Sequence, residues 1–340
     1  MALSKILPAG QAQFAGARNL IINSQMQIAQ RGTSAVAAAS GNYPSIDRIK
    51  CYESTDGAFT LEQSTTVPSG QGFSNSAKFV VTTADTSLAA GQYAQATQVI
   101  EAQNLQHLNY GTSSAKTLTL SFWCRSSKTG TYCITIVKED STATHYVKAF
   151  SISSADTWEK KTITIEPDSN ITAAAGAIAN DNGAGLYVYW NFAQGSTYTG
   201  ATDNTWSTNT NHFATTNQVN WMDSTSNDFY LTGVQLEVGS ATPFEHEDYG
   251  TTLRKCERYA LTLGGLLLPK MREADRYRAS TYQFGRIMRA APTIPAMTDG
   301  SSISVTVQSI TTSSAHCYVV VPSDGHGCEI SGGTVISAEL

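Results

Sequence analysis

The feature that most constrains this chain is a side-chain period of two, repeated in short segments along its first 245 residues. In residues 117–124 (TLTLSFWC), Leu118, Leu120 and Phe122 fall on one side and Thr117, Thr119 and Ser121 on the other. Extended chain meets that period and a helix does not, and one apolar side marks a strand with one face buried. The same text recurs at residues 19–28, 47–52, 77–82, 93–100, 132–138, 146–152, 159–165, 186–192 and 228–238, punctuated by Gly, Ser, Asn and Asp. The turn Ser127-Lys128-Thr129-Gly130 predicts a hairpin between the strands that flank it. Short strands at this spacing with no helices between them predict an all-β chain, a jelly-roll β-sandwich with polar outer faces.

The rest of the chain frames this core. Residues 1–18 are small and Gly/Ala/Gln-rich with no period, and are expected to be an extended arm that gains order on a partner. Residues 19–248 form the sandwich. Residues 249–261 alone have helical composition, with Thr251 or Thr252 as cap and Leu253, Cys256 and Tyr259 or Ala260 on one face. Residues 262–340 return to strand text at 282–288, 303–307, 316–321 and 334–337, with a turn at 324–327. This C-terminal β tip is small for a core of its own and is expected to pack on the sandwich or on copies of itself.

Only 14% of the 340 residues are charged, and Ser, Thr, Asn and Gln fill the gap. That surface suits a long-lived virion or extracellular protein better than a cytosolic enzyme. The net charge is −5 and no basic run occurs, which argues against nucleic-acid binding. No apolar run approaches the ~18 residues of a membrane span. The opening MALSKILPAG lacks the apolar core of a secretory signal, so the expectation is folding in the cytosol that makes the chain, with release by lysis.

Six cysteines occur without a CxxC or zinc spacing. Cys124 with Cys133, and Cys317 with Cys328, are each placed to face one another across a hairpin. Buried free thiols are the expected state, because a reducing cytosol disfavours disulfides.

Residues 18–34 read RNLIINSQMQIAQRGTS, and residues 229–259 read FYLTGVQLEVGSATPFEHEDYGTTLRKCERY. The first resembles the opening of bacteriophage tail-fibre and appendage proteins of the marine or cyanophage type, an Arg-Asn-Leu start followed within about ten residues by Gln-Arg-Gly. The second resembles their close: a strand ending Gln-Leu-Glu, then Thr-Pro-Phe-Glu, then a short helix ending Cys-x-Arg-Tyr. Residues 284–293 (FGRIMRAAPT) resemble the start of their final β segment. A single Tyr259 stands where that family often doubles the tyrosine. The resemblance implies a carbohydrate-binding-module-like jelly roll with a small β tip, assembled as a homotrimer on a tail. It further implies a virion location, contact with other tail proteins through the N-terminal arm, and adsorption to a host surface polysaccharide.

Sugars are held by aromatic faces and by amide or carboxylate hydrogen bonds. Residues 187–221 carry eight aromatic rings among many Asn, Thr and Ser, and residues 193–218 read as a long loop. Tyr198, Trp206, Asn209, Asn211 and His212 are the exposed ligand candidates. The competing reading has these rings packing the loop onto the sandwich or filling a subunit interface. Tyr187, Tyr189 and Trp190 are assigned to the core or a sheet face. Gln235 and Glu237 form either a hydrogen-bonding row at an edge or a solvated face. The Asn180–Gly183 run is taken as an ordinary turn rather than a calcium loop.

No nucleophile elbow, HExxH or P-loop appears, and Asp223, Asp228, Glu237, Glu245, Glu247 and Asp248 show no spacing that selects a catalytic pair. The expectation is a protein with no catalytic residues, metal or cofactor. A structural connector or decoration protein is the alternative, and a polysaccharide depolymerase the third reading.

Overall fold

A computed structural model describes residues 18–263, 266–268, 277–294, 297–298, 304–320, 328–330 and 335–340. The expected arm (residues 1–17 of it) and the expected turn at 324–327 lie outside these residues.

Twelve strands build the described residues 18–238: β1 (Val36–Ala37), β2 (Lys50–Glu53), β3 (Ala58–Ser64), β4 (Ser76–Thr83), β5 (Tyr93–Glu101), β6 (Leu118–Ser126), β7 (Gly130–Lys138), β8 (Thr144–Ile152), β9 (Glu159–Ile165), β10 (Ala184–Gln194), β11 (Thr205–Ser207) and β12 (Asp228–Val238). They form two six-stranded sheets, ordered β1-β3-β4-β12-β6-β9 and β11-β8-β7-β10-β5-β2. The strand pairs are antiparallel. The chain crosses repeatedly between the sheets, and the architecture is a jelly-roll β-sandwich.

The period of two explains the core. Leu118, Leu120, Phe122 and Cys124 of β6 are fully buried, as are Leu186, Val188, Trp190 and Phe192 of β10 in the facing sheet. These and their neighbours form one continuous apolar cluster, and each large side chain so buried contributes about 1.5–3 kcal/mol. Rings interlock across it, with Phe59 edge-on to both Phe192 and Trp221 at 5.9 Å.

Several local expectations fail for physical reasons. The 127–130 turn does not make a hairpin. β6 pairs with β12 and β9, whereas β7 pairs with β10 and β8, so the turn carries the chain from one sheet to the other. Cys124 and Cys133 therefore lie in different sheets, and Cys51, Cys124, Cys133 and Cys256 are free and buried. Cys317 is in register with Ser280 and Val307 and Cys328 with Leu268, so these two are not hairpin partners either. Residues 19–28 are a string of turns rather than a strand. Asn23 and Met26 sit at φ +57°, outside extended geometry. Asn23 satisfies the turned backbone itself: its Nδ2 donates to Ile28 O at 2.8 Å and its Oδ1 accepts from Ile28 N at 3.0 Å.

The outer face of the first sheet is also less exposed than alternation predicts. Gln235 and Glu237 are almost fully buried rather than solvated. Gln235 Nε2 donates to Glu237 Oε1 at 2.8 Å, and Glu237 accepts from Thr242 N at 2.9 Å and Thr242 Oγ1 at 2.6 Å. Glu245 N donates to Gln235 Oε1 at 2.8 Å. The segment after β12 thus folds back over its own strand.

Two helices are short: α1 (Ser169–Thr172) and α2 (Tyr249–Cys256). α2 is capped by Asp248 rather than by a threonine, with Thr251 N donating to Asp248 Oδ1 at 3.0 Å. Cys256, Tyr259 and Ala260 are buried against the sandwich edge.

Beyond α2 come β13 (Ala260–Thr262), β14 (Leu266–Leu268), β15 (Tyr277–Gln283), β16 (Met297–Thr298), β17 (Ser304–Ile310), β18 (Ser314–Val320), β19 (Cys328–Ile330) and β20 (Val335–Ser337). The strand expected at 282–288 instead ends at Gln283. β15, β18, β17 and β16 form a four-stranded sheet, while β13 pairs with β20 and β14 with β19. Leu263, Phe284, Met288, Ala315, Ile336 and Ala338 make a second, small apolar cluster.

Candidate functional site

The outer face of the second sheet carries the side chains that alternation turns away from the core. β10 turns out Tyr187, Tyr189 and Asn191, and β5 turns out Tyr93, Gln95 and Thr97. Register sets Gln95 opposite both Asn191 and Tyr52, and Thr97 opposite Tyr189. Tyr189 lies 6.2 Å from Tyr52 and stacks on Tyr187 at 5.7 Å with planes only 10° apart.

The loop at residues 195–218 then makes a wall. Thr135 Oγ1 donates to Phe213 O at 2.6 Å, and Asn191 Nδ2 donates to the same oxygen at 2.8 Å. Ala214 packs onto Cys133 and Val147. With the loop anchored over β7 and β8, Phe213 stands edge-on to Tyr189 at 5.4 Å, and Tyr198 edge-on to Tyr93 at 5.4 Å. What remains open over β2, β5 and β10 is a groove of about 230 Å³, lined by Tyr52, Tyr93, Gln95, Tyr189, Gln194, Tyr198 and Phe213.

The two amides of the groove are linked. Gln194 Nε2 donates to Gln95 Oε1 at 2.8 Å and to Asn191 Oδ1 at 2.9 Å. Gln194 Oε1 is buried and takes no hydrogen bond from the described residues. An unpartnered buried acceptor is costly, and this one belongs to a residue of the groove wall. Burial pushes the Tyr187 phenol up to about 12 and Tyr189 well above its ordinary value, with the charge of Glu139 adding to both shifts. Both phenols therefore stay protonated near neutral pH, able to donate and to accept.

The five residues singled out from sequence separate. Tyr198 is part of the groove. Trp206 is not an exposed ligand residue. It is 3% exposed, its Nε1 donates to Glu166 O at 2.9 Å, and it packs on Tyr146 at 5.3 Å. Three β11 residues pair with β8, which drives the indole inward. His212 lines a smaller recess of about 120 Å³ with His145 and Ser207. Asn209 and Asn211 are exposed beside it, with Asn209 Nδ2 2.9 Å from His212 Nε2 and Asn209 Oδ1 accepting from Asn211 N at 3.0 Å. Tyr52, Tyr93, Gln95, Gln194 and Phe213 are not among the ligand candidates read from sequence, and the assignment of Tyr189 to the core or a sheet face resolves to the sheet face at this groove. Their signal was present at Tyr93-x-Gln95 and Tyr187-x-Tyr189, aromatic and amide side chains on the polar side of a strand.

The acids considered as catalytic candidates have structural partners. Asp223 pairs with Lys128 at 2.6 Å, Glu245 Oε2 accepts from Asn19 N at 3.1 Å, Glu247 accepts from Thr252 Oγ1 at 2.9 Å, and Asp248 caps α2. Asp228 Oδ1 accepts from Ser127 N at 3.3 Å, and Glu237 is held by Thr242. At 180–183, Asp181 Oδ1 accepts from Gly183 N at 2.8 Å, closing a turn on itself.

No protein-family model matches the sequence, and no curated protein matches it. Among solved structures, the chain is similar to the enzymatically active domain of tailspike protein 4 from bacteriophage CBA120, at 12% identity and TM-score 0.33 over 65% of this chain and 22% of that one. The chain thus spans about a fifth of the length of that domain's solved chain. A putative sugar binding protein from Bacteroides thetaiotaomicron aligns at 13% identity and TM-score 0.36, covering 65% of this chain and 100% of that one. A family 11 carbohydrate-binding module from Clostridium thermocellum, in complex with a β-1,3-1,4-mixed-linked tetrasaccharide, aligns at 12% identity and TM-score 0.32, over 63% of this chain and 100% of that one.

Proposed function

We propose that this chain is a bacteriophage tail-fibre or appendage subunit that holds a host-surface glycan in the tyrosine–glutamine groove and does not cleave it. The observation that carries the glycan reading is the convergence of four tyrosines, a phenylalanine and two linked glutamines from three strands and one loop into a single groove. Ring faces meet the C–H faces of a sugar, and amides and phenols match its hydroxyls. The phage reading rests on the motifs at residues 18–34, 229–259 and 284–293. It carries with it a virion location, attachment to other tail proteins through the N-terminal arm, and a homotrimer.

A glycan array bearing host surface polysaccharides, run beside a mass measurement in solution, tests the whole reading. Binding by a trimer without release of reducing ends is the expected result. Release of reducing ends would make the chain a depolymerase. Two large apolar side chains, Tyr249 at 56% exposure and Ile287 at 71%, favour a second reading as a connector whose surface serves neighbouring subunits. A trimer that binds no glycan would support that connector.

A further inference from the structure

We infer that the groove selects an uncharged glycan, and that the Gln95–Gln194 amide pair reads it by accepting a ligand hydroxyl at Gln194 Oε1. The inference rests on the groove being a glycan site, and it adds the class of glycan.

Gln194 is fixed by its two donated bonds, so its Oε1 cannot be exchanged for a donor without leaving Gln95 Oε1 and Asn191 Oδ1 unmatched. An oxygen held in this orientation accepts a hydrogen bond and repels an anion. The acceptor is closed to a water-sized group, so a ligand hydroxyl reaches it only as the side chains beside it shift on binding.

The walls agree. The groove-lining residues are neutral, so an anionic sugar would leave water without a cation to meet it. Lys50 is not among the lining residues: its Nζ lies 5.1 Å from the centre of the Tyr52 ring and donates to Leu340 O at 2.9 Å. Glu139 is the charge felt at Tyr187 and Tyr189, and its sign opposes an acidic ligand. Uronate, sialate and phosphate sugars are all disfavoured by the same three facts.

Calorimetric titration of the full chain with a neutral β-glucan, galactan and xylan oligosaccharide panel, set against oligogalacturonate of equal length, tests this. At least one neutral oligomer should bind at least about tenfold tighter than the uronate. Tyr198→Ala should weaken that binding, and Gln194→Met, which keeps the volume but removes the acceptor, should weaken it about tenfold in a protein whose melting shows it folded. Uronate bound as well as or better than neutral oligomers, and lost in Tyr198→Ala, would overturn the inference and leave the groove a glycan site. No binding by any oligomer, or binding indifferent to Tyr198→Ala, would overturn the groove reading and this inference with it. Neutral binding unchanged in folded Gln194→Met would remove the amide pair from the account. Should Gln194→Met fail to fold, the neutral-against-uronate comparison on the unaltered chain still decides the selectivity.

Discussion

Asn19 grips the backbone of Val234, 215 positions away, its Nδ2 donating to Val234 O at 2.9 Å. Its Oδ1 accepts from Leu236 N at 3.1 Å, so one amide spans the place where β12 slips register between Thr232 and Gln235. Leu20 N adds a bond to Leu236 O at 2.9 Å. Asn19→Ala leaves those β12 groups unmatched and is expected to cost about 1–3 kcal/mol in chemical denaturation. Asn19→Asp, which keeps the acceptor and loses the donor, should fall between the two.

Gly233 makes that slip possible. It sits at φ +59°, and a Cβ there would lie 2.5 Å from Phe73 Cζ. The Phe73 ring is itself held by Phe244 at 4.9 Å and His246 at 5.4 Å. Gly233→Ala combines left-handed strain with overpacking and should destabilise by about 2–4 kcal/mol, read as a lowered denaturant midpoint with unchanged slope.

Arg48 is 1% exposed, paired with Glu339, and lies 3.5 Å over the Tyr259 ring. Its Nη2 also donates to Val99 O at 2.5 Å. Glu339→Ala strands this cation and should cost about 3–5 kcal/mol. The double variant Arg48→Met with Glu339→Leu should cost clearly less than the sum of its singles, measured as a double-mutant cycle.

Glu101 gives the fold an acid-sensitive joint. Burial would raise its carboxyl, but hydrogen bonds from Arg258 and Tyr259 outweigh it and hold the group below the usual range. The Arg258 fork meets both oxygens at 2.8 Å. Folded Glu101 therefore binds a proton less readily than unfolded Glu101, whose value is about 4.3. Its contribution is present above that value and fades as pH falls through the lower folded one. The stability gap between the native chain and Glu101→Gln should narrow across that acid window. Asp47, raised by burial, titrates with the opposite sign in both proteins, so their difference isolates Glu101.

Burial raises the thiols of Cys51, Cys124, Cys133 and Cys256, Cys124 to about 12. Cys51, Cys124, Cys133 and Cys256 should resist alkylation in the native chain and react at once in denaturant, as mapped by mass spectrometry.

The resemblance motifs gain a physical meaning from these contacts. Asn19, Gln25 and Gln30 near the start meet Val234, Glu247 and Ala260 near the close, with Gln25 Nε2 donating to Glu247 O at 3.1 Å and Gln30 Nε2 to Ala260 O at 2.7 Å. The two stretches are the two halves of one clasp, and sequence alone could not tell that from a binding motif. The loop candidates divided for a similar reason. Tyr198 and Trp206 look alike in sequence, yet the three residues of β11 pair with β8 and take Trp206 inside, while Tyr198 remains at the groove.

The chain's own text determined that it is all-β apart from a short helix near residue 250, that Leu118, Leu120 and Phe122 share the buried face of a strand, and that rings gather near residue 190. The strand readings depend on a period of two, which is local and survives without knowledge of neighbours. Tertiary structure alone decided that β6 and β7 part into different sheets, that Gln235 and Glu237 are covered, and that Tyr52, Tyr93, Gln95 and Gln194 share a groove with Tyr198. Strand pairing around the groove brings together residues 41 to 101 positions apart through backbone hydrogen bonds that every residue type except proline can make, so side-chain identity carries little record of which strand lies beside which.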